Sequence, residues 1–352
     1  MMKNYFNEHA QVLLTTFGAV FLALMIGLLL VYLTADDFSD ALVAFFDGMF
    51  GSTYAVGASL NRAVTLALVG MGFVFASRAN LVNVGGEGQI AMGGIFAAAM
   101  ALYGGVSDLP LGLAWILPLI IGTLAGSFWC GIAGVLKVQR GTNEVISTLL
   151  LIFIGLLVVY WSVQSDSLLR KPRTNSSTLP ESAEIPESTM LPYLMDDSSL
   201  TLHVGLLFAV IFAVIIWILL NKGELGFRLR AIGLNDIASR RAGISAKRDM
   251  MLAMFVSGGF SGLAGAIMIL GEQWYVTAGF SSGYGFDGLV AGLLARGSVP
   301  GVLMAALFFG FLRSGGLTME MMSGVPSAVV YIIQGLVVVF IAGASRFADK
   351  RD

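Results

Sequence analysis

The sequence predicts an all-α, polytopic membrane protein of about ten transmembrane helices, some of them broken, with a folded cytoplasmic loop. Three observations predict it. Hydrophobic residues make up 57% of the 352 residues and charged residues only 12%, whereas soluble domains carry about 25% charged residues and can cover themselves with polar surface. Apolar runs of spanning length, or close to it, recur along the whole chain. The 44 glycines suit helices that pack backbone against backbone in a bilayer.

The first run, 13–33, follows a segment carrying Lys3, Glu8 and His9. It exceeds the roughly 20 residues that cross a bilayer, and no A-x-A-like site follows it directly, so it reads as a retained first helix rather than a cleaved signal. Further runs fall near 56–77, 84–104, 111–136, 144–163, 201–221, 250–270, 284–296, 299–317 and 325–344. The 284–296 run is short and is interrupted by Gly285, Gly288 and Gly292. With 299–317 it reads either as two spans or as one re-entrant hairpin plus a span. The chain 1–352 is therefore taken as a single transmembrane domain.

Orientation follows from Lys and Arg, which concentrate in cytoplasmic segments. With the N-terminus inside and ten spans, Lys3, Arg78, Lys137, Arg140, the cluster at 222–248, Arg296, Arg346, Lys350 and Arg351 fall inside, about 15 of the 20 basic residues. Arg62, Arg170, Lys171, Arg173 and Arg313 fall outside, and both termini are cytoplasmic.

Several functions are excluded on composition. A net charge of −2 offers no argument for nucleic acid. The single Cys130 permits no internal disulfide and reads as a small packing residue. His9 and His203 lack metal-ligand spacing, so no metal site is expected. No phosphate-binding G-x-x-x-x-G-K-[ST] run and no Ser/His/Asp set is present, so the chain is read as no enzyme and as binding no cofactor.

Two loops stand apart. Residues 164–200 are polar, with four prolines and several acids, and face outward as a solvated cap or as a docking surface for an external partner. Residues 222–248 ("KGELGFRLRAIGLNDIASRRAGISAKR") face the cytoplasm and recur in apolar residues at helical spacing. Asn235 or Asp236 suits the cap of a short helix through Ala242. A loop this long and semi-apolar reads as a folded docking element.

The stretch Asn83 to Gly94, "NVGGEGQIAMGG", contains G-x-G-x-x-A. A dinucleotide fingerprint needs a preceding strand and an acid about 20 residues on; here an apolar helix precedes and no such acid follows. Within a bilayer the same residues read differently. The glycines loosen a helix near its start, and Asn83, Glu87 and Gln89 are costly against lipid, which makes them candidates for a substrate path. The alternative is that Glu87 pairs with Arg78 at the cytoplasmic interface. A second polar stretch, "GTNEVIST", places Asn143, Glu144 and Thr148 within two turns, with Glu144 and Thr148 on one helix face; Glu144 could also be a simple cap. A third places Asp287 among glycines at the mouth of the short run.

Taken together these stretches resemble one family. "FASRANLVNVGGEGQ" (75–89), "GTNEVISTLL" (141–150), "GFRLRAIGLN" (226–235) continuing to Ile244, and "GFDGL" (285–289) with Pro300 to Val302 resemble the permease subunits of bacterial ABC importers for simple sugars, nucleosides and branched-chain amino acids. The likeness covers roughly 56–344, and the Glu87 and "NEVIST" motifs are most like nucleoside importer permeases. "LLLIFIG" (149–155) departs from the family by lacking a polar residue.

The resemblance implies a multi-pass protein of the bacterial cytoplasmic (inner) membrane and transport by alternating access. It also implies a second related permease in a heterodimer, a solute-binding lipoprotein or periplasmic protein, and an ABC ATPase subunit that hydrolyses the ATP. Residues 222–248 become the coupling loop, with Arg228, Arg230, Asn235, Asp236, Arg240 and Arg241 as ATPase-coupling residues. Phe73, Phe75 and Trp274 are further candidates for stacking on a nucleoside. The competing readings are an ion-coupled secondary transporter of a small polar solute, with Glu87 or Glu144 as the ion site, and a passive channel.

Overall fold

Long apolar stretches with few acids or bases satisfy their backbone polar groups internally, and the helix is the local way to do so. The computed structural model describes residues 18, 20–110, 112–166, 168–172, 179–195 and 199–349, with backbone alone for 338 and 341–349. Lys3, Glu8, His9, Arg173, Lys350, Arg351 and the start of the 13–33 run lie outside the described residues. Among the described residues thirteen α-helices follow one another: α1 (Val20–Thr34), α2 (Phe38–Phe50), α3 (Thr53–Ser77), α4 (Gly86–Tyr103), α5 (Leu113–Arg140), α6 (Glu144–Gln164), α7 (Gly205–Asn221), α8 (Glu224–Leu234), α9 (Asp236–Arg241), α10 (Ala246–Met268), α11 (Tyr284–Leu294), α12 (Val299–Ser323) and α13 (Ala328–Asp349). Among the described residues there is no strand, only isolated β-bridges.

Among the described residues five helices are long and apolar enough to cross a membrane: α3, α5, α6, α10 with its extension to Gln273, and α12. A sixth is formed if α7 and α8, bent by 63° at their junction, are one span. Helices α1, α11 and the first part of α13 are apolar but shorter. The fold is thus all-α and polytopic, as the composition requires. Helix α2 matches none of the expected runs; its 13 residues include Asp40 and Asp47, and Asp37 caps it by accepting from the Ser39 and Asp40 amides.

The helices sort into two compact units, residues 1–62, 199–201 and 308–352 in one, and 63–198 and 202–307 in the other; α3 and α12 each pass from one to the other. In the second unit α4, α5 and α10 form a tight core, and α4 is buried nearly throughout. Glycines make the close approach possible. A Cβ on Gly93 would lie 2.2 Å from the Gly262 carbonyl oxygen, and one on Gly265 2.1 Å from that of Ile90. Gly126 and Gly258 stand in the same relation across α5 and α10. Cys130 is buried at this seam, as expected of a packing residue.

Helix α10 ends in a π-helical turn, Ile269–Gln273, closed by Trp274 in the left-handed conformation (φ 63°). The polar loop after α6 is fastened along it. The amides of Ser182, Ile185 and Leu191 donate to the carbonyls of Val276, Trp274 and Leu270 at 2.8–2.9 Å, and Lys171 pairs with Glu181.

In the first unit, α2 packs on α12 through Gly48, where a Cβ would meet Thr318, and Phe50 stacks on Phe311 at 5.0 Å. Arg62 and Arg313 lie within α3 and α12, as the runs 56–77 and 299–317 that contain them imply. Arg62 Nη1 donates to Ser314 Oγ at 2.9 Å. Arg313 is 4% exposed, with its guanidinium 5.3 Å from the Tyr331 ring centre. A hydroxyl partner for Arg62 and a cation–π contact for Arg313 hold them within a helix bundle.

Candidate functional site

The segment between α3 and α4, residues 78–85, carries no repeating backbone pattern, so side chains must hold it. Asn83 and Gln89 form a reciprocal amide pair: each Nδ2 or Nε2 donates to the other's carbonyl oxygen, at 2.9 and 2.8 Å. Asn83 Nδ2 also donates to Ser257 Oγ on α10 at 2.9 Å, and Asn83 Oδ1 accepts from the Gly85 amide at 3.0 Å. Asn83, Gln89 and Ser257 are all buried. On the other side, Thr148 of α6 accepts from the Val84 amide at 3.3 Å while donating to the Glu144 carbonyl at 2.7 Å. Residues 83–85 are thereby clamped between α6 and α10.

Glu87, in the first turn of α4, is 3% exposed. Its Oε1 accepts from the Gly283 amide at 2.8 Å and its Oε2 from the Gly285 amide at 2.7 Å. The carboxylate therefore caps the N-terminus of α11, where orphan amides and the helix dipole favour a negative charge. Gly283, the cap residue, has φ 82°, and Gly285 approaches so closely that a Cβ would fall 2.0 Å from the Glu87 nitrogen. Arg78, the partner considered from sequence, donates instead to the Gly297 carbonyl at 2.7 Å.

Helix α11 has 11 residues, about 16 Å at 1.5 Å per residue, or half the hydrocarbon thickness. Left-handed residues bound it at both ends: Ser282 and Gly283 before, Arg296 and Gly297 after. It is a half-length helix held by a buried carboxylate. Asp287 occupies its first turn, half-buried.

At the start of α6 the amide and the acid of the "GTNEVIST" stretch separate. Asn143 is exposed and is the cap, accepting from the Val145 amide at 2.9 Å. Glu144 is buried and pairs with Lys137 of α5 at 2.7 Å. The structure thus brings Asn83, Glu87, Gln89 and Thr148 into one buried polar seam, with Asp287 on the helix it anchors and Asn143 and Glu144 one turn away. Of the aromatic candidates, Phe73 and Phe75 are core residues and Trp274 closes the π turn. Ser257, which accepts from Asn83, is not legible from sequence, because a serine in an apolar helix carries no local signal of its partner.

The 222–248 segment folds as two short helices. Asn235 caps α9 by accepting from the Ala238 amide at 3.0 Å. Arg228 reaches Glu224 at 3.1 Å and the buried Asp249 of α10 at 3.2 Å, pinning α8 to the core. Arg240 pairs with Asp236 one turn away, Arg230 donates to the Gly226 carbonyl at 3.3 Å, and Arg241 is exposed. Phe227, Leu234 and Ile237 project outward, Leu234 at 89% exposure.

Span-length apolar helices, a half-length helix anchored by a buried carboxylate and a folded polar-apolar segment between spans define a multi-pass membrane protein. The chain belongs to the family described as branched-chain amino acid transport system / permease component, whose profile matches residues 55–342. It is 35% identical over 333 residues to the guanosine ABC transporter permease protein NupP of Bacillus subtilis, covering 94% of this chain and 93% of that one. It is 34% identical to a glucose ABC transporter permease protein of Haloferax volcanii, over 92% and 85% of the two chains. A nucleoside ABC transporter permease protein of Lactococcus lactis is 35% identical over 84% and 81%. No solved structure matches the chain.

Proposed function

We propose that the chain is the permease of an ATP-driven importer of a nucleoside or simple sugar in the bacterial cytoplasmic membrane, working by alternating access with both termini inside. The observation that carries this is the folded α8–α9 segment. It bends 63° from α7, is pinned by Arg228 to Asp249, and presents Phe227, Leu234 and Ile237 outward, a combination suited to seating on an ATPase that binds and hydrolyses the ATP. The names of the similar proteins, guanosine, nucleoside and glucose permeases, support the solute class. A 26% identical guanosine permease, NupQ, comes from the same Bacillus as NupP, which supports a second, related permease as partner. A solute-binding protein delivers the solute from outside. Asn83, Glu87, Gln89, Asn143, Glu144, Thr148 and Asp287 border the path, with the first three acting chiefly by holding α11 and the 83–85 segment in place.

An ion-coupled carrier needs a carboxylate available to its ion. Glu87 and Glu144 are both engaged, by two amides and by Lys137, which favours the ATP-driven reading. The test is uptake of radiolabelled nucleosides and pentoses by cells carrying this permease with its partner subunits, with an active or an inactivated ATPase. Uptake lost with the inactive ATPase, and lost in a R240E/R241E variant that no longer retains the ATPase on purification, is the expected result. Uptake that survives the inactive ATPase and collapses with the proton gradient overturns it.

A further inference from the structure

Three arginines from three separate elements converge on one pocket. Arg78 follows α3, Arg230 lies on α8, and Arg296 sits in the turn between α11 and α12; with Ser77, Asn80, Gly233, Leu234 and Gly297 they line a cavity of about 400 Å³. None of its lining residues is acidic. Among the described residues none of the three guanidiniums forms an ion pair, and the buried Nε of Arg78 has no hydrogen-bond partner. Burial first, and then the positive charge of Arg230, hold the Arg78 guanidinium below its ordinary range. Like charges gathered without a counter-charge are unfavourable unless something anionic joins them.

The backbone is shaped for the arrangement. Two of the four non-glycine residues with positive φ among the described residues, Asn80 (56°) and Arg296 (46°), line this pocket, beside Gly297 (79°). Left-handed backbone in non-glycine residues is strained and concentrates at binding sites. Gly233 permits α8 to lie against the α3 end: a Cβ there would be 2.5 Å from the Arg78 carbonyl oxygen.

We infer that this pocket is a phosphate-binding site, and that its occupant is the headgroup phosphate of an anionic phospholipid. Guanidinium forks match phosphate oxygens in pairs. The placement selects the lipid. The span-length helices α3 and α12 end and begin at Ser77 and Val299, so residues 78–80 and 296–298 lie just past the hydrocarbon edge, at headgroup level. Basic pockets between spans at that level are where anionic headgroups bind.

The test uses the full chain in nanodiscs of phosphatidylcholine, with or without phosphatidylglycerol, and counts phosphatidylglycerol retained on native mass spectrometry. Retention is expected to fall about five-fold per arginine removed, and about 25-fold in R230Q/R296Q. Both of those side chains are exposed, so their removal spares folding where loss of Arg78 threatens it. The charge-matched R240Q/R241Q variant is expected to retain lipid like the parent. Inorganic phosphate added to phosphatidylcholine discs separates the sources. Thermal protection by phosphatidylglycerol alone supports the lipid; equal protection of the parent, but not of R230Q/R296Q, by inorganic phosphate overturns the lipid assignment in favour of a soluble phosphate. Equal lipid retention by R230Q/R296Q and the parent overturns the site altogether.

Discussion

Replacing Glu87 by Gln isolates what its carboxylate does. Both oxygens accept from α11 amides, at 2.8 and 2.7 Å, and the group is buried. Hydrogen bonds to a charged acceptor contribute about 1.5–3 kcal/mol each. The amide of Gln keeps one acceptor but turns an NH₂ toward the second N–H, so one bond is lost and two donors face each other. A local cost of about 2–3 kcal/mol follows. At 1.4 kcal/mol per tenfold, opening of the α11 N-terminus becomes about 30- to 140-fold more frequent. Hydrogen–deuterium exchange on the purified chain in nanodiscs, followed on a peptide covering 280–290, reads this directly. The expected result is faster exchange there with α5 and α6 unchanged, and reduced uptake. Unchanged exchange at 280–290 alongside lost uptake would refute the anchoring argument and leave the carboxylate acting on the solute itself.

Three further outcomes follow from the same seam and its neighbours. Gly285→Ala puts a Cβ 2.0 Å from the Glu87 nitrogen and is expected to lower stability by about 2 kcal/mol or more, whereas Gly335→Ala, with nothing within 4 Å, raises it by up to about 1 kcal/mol; thermal unfolding of the two purified variants checks both. Asn83→Leu strands the buried amide of Gln89, at about 1–3 kcal/mol, and combining it with Gln89→Leu recovers part of that; a double-mutant cycle should give a coupling of about 1–2 kcal/mol, and a value near zero would contradict the reciprocal pair. Asn235→Ala removes the α9 cap at a cost of about 1 kcal/mol, seen as faster exchange across 236–241 and weaker retention of the ATPase subunit on purification.

Much of this fold is legible in the residues. Depleted charge and recurrent apolar runs require membrane helices, and Asn235 preceding an acid and an apolar-periodic stretch announces the α9 cap by local rules that need no tertiary structure. Glu87 is legible as unusual, a carboxylate in an apolar stretch, but its partners are not. The Gly283 and Gly285 amides are 196 and 198 residues away in the chain, and backbone N–H groups leave no mark in a sequence. The same holds for the three-arginine pocket, whose members satisfy the charge rule one by one and gain meaning only when α3, α8 and the α11–α12 turn meet. The partners of Arg62 and Arg313, Ser314 and the Tyr331 ring, are hidden for a related reason: they come into reach only when helices pack.

The glycine seam among α4, α5 and α10 has a mechanical consequence. Where backbone meets backbone there are no rotamers to switch and no compressible side chain to yield, so the three helices form a chassis that moves as one piece. Displacement must then be taken up where the chain is jointed. Under the proposed alternating access that joint is helix α11, held at one end by the Glu87 carboxylate and flanked by left-handed residues at 282–283 and 296–297.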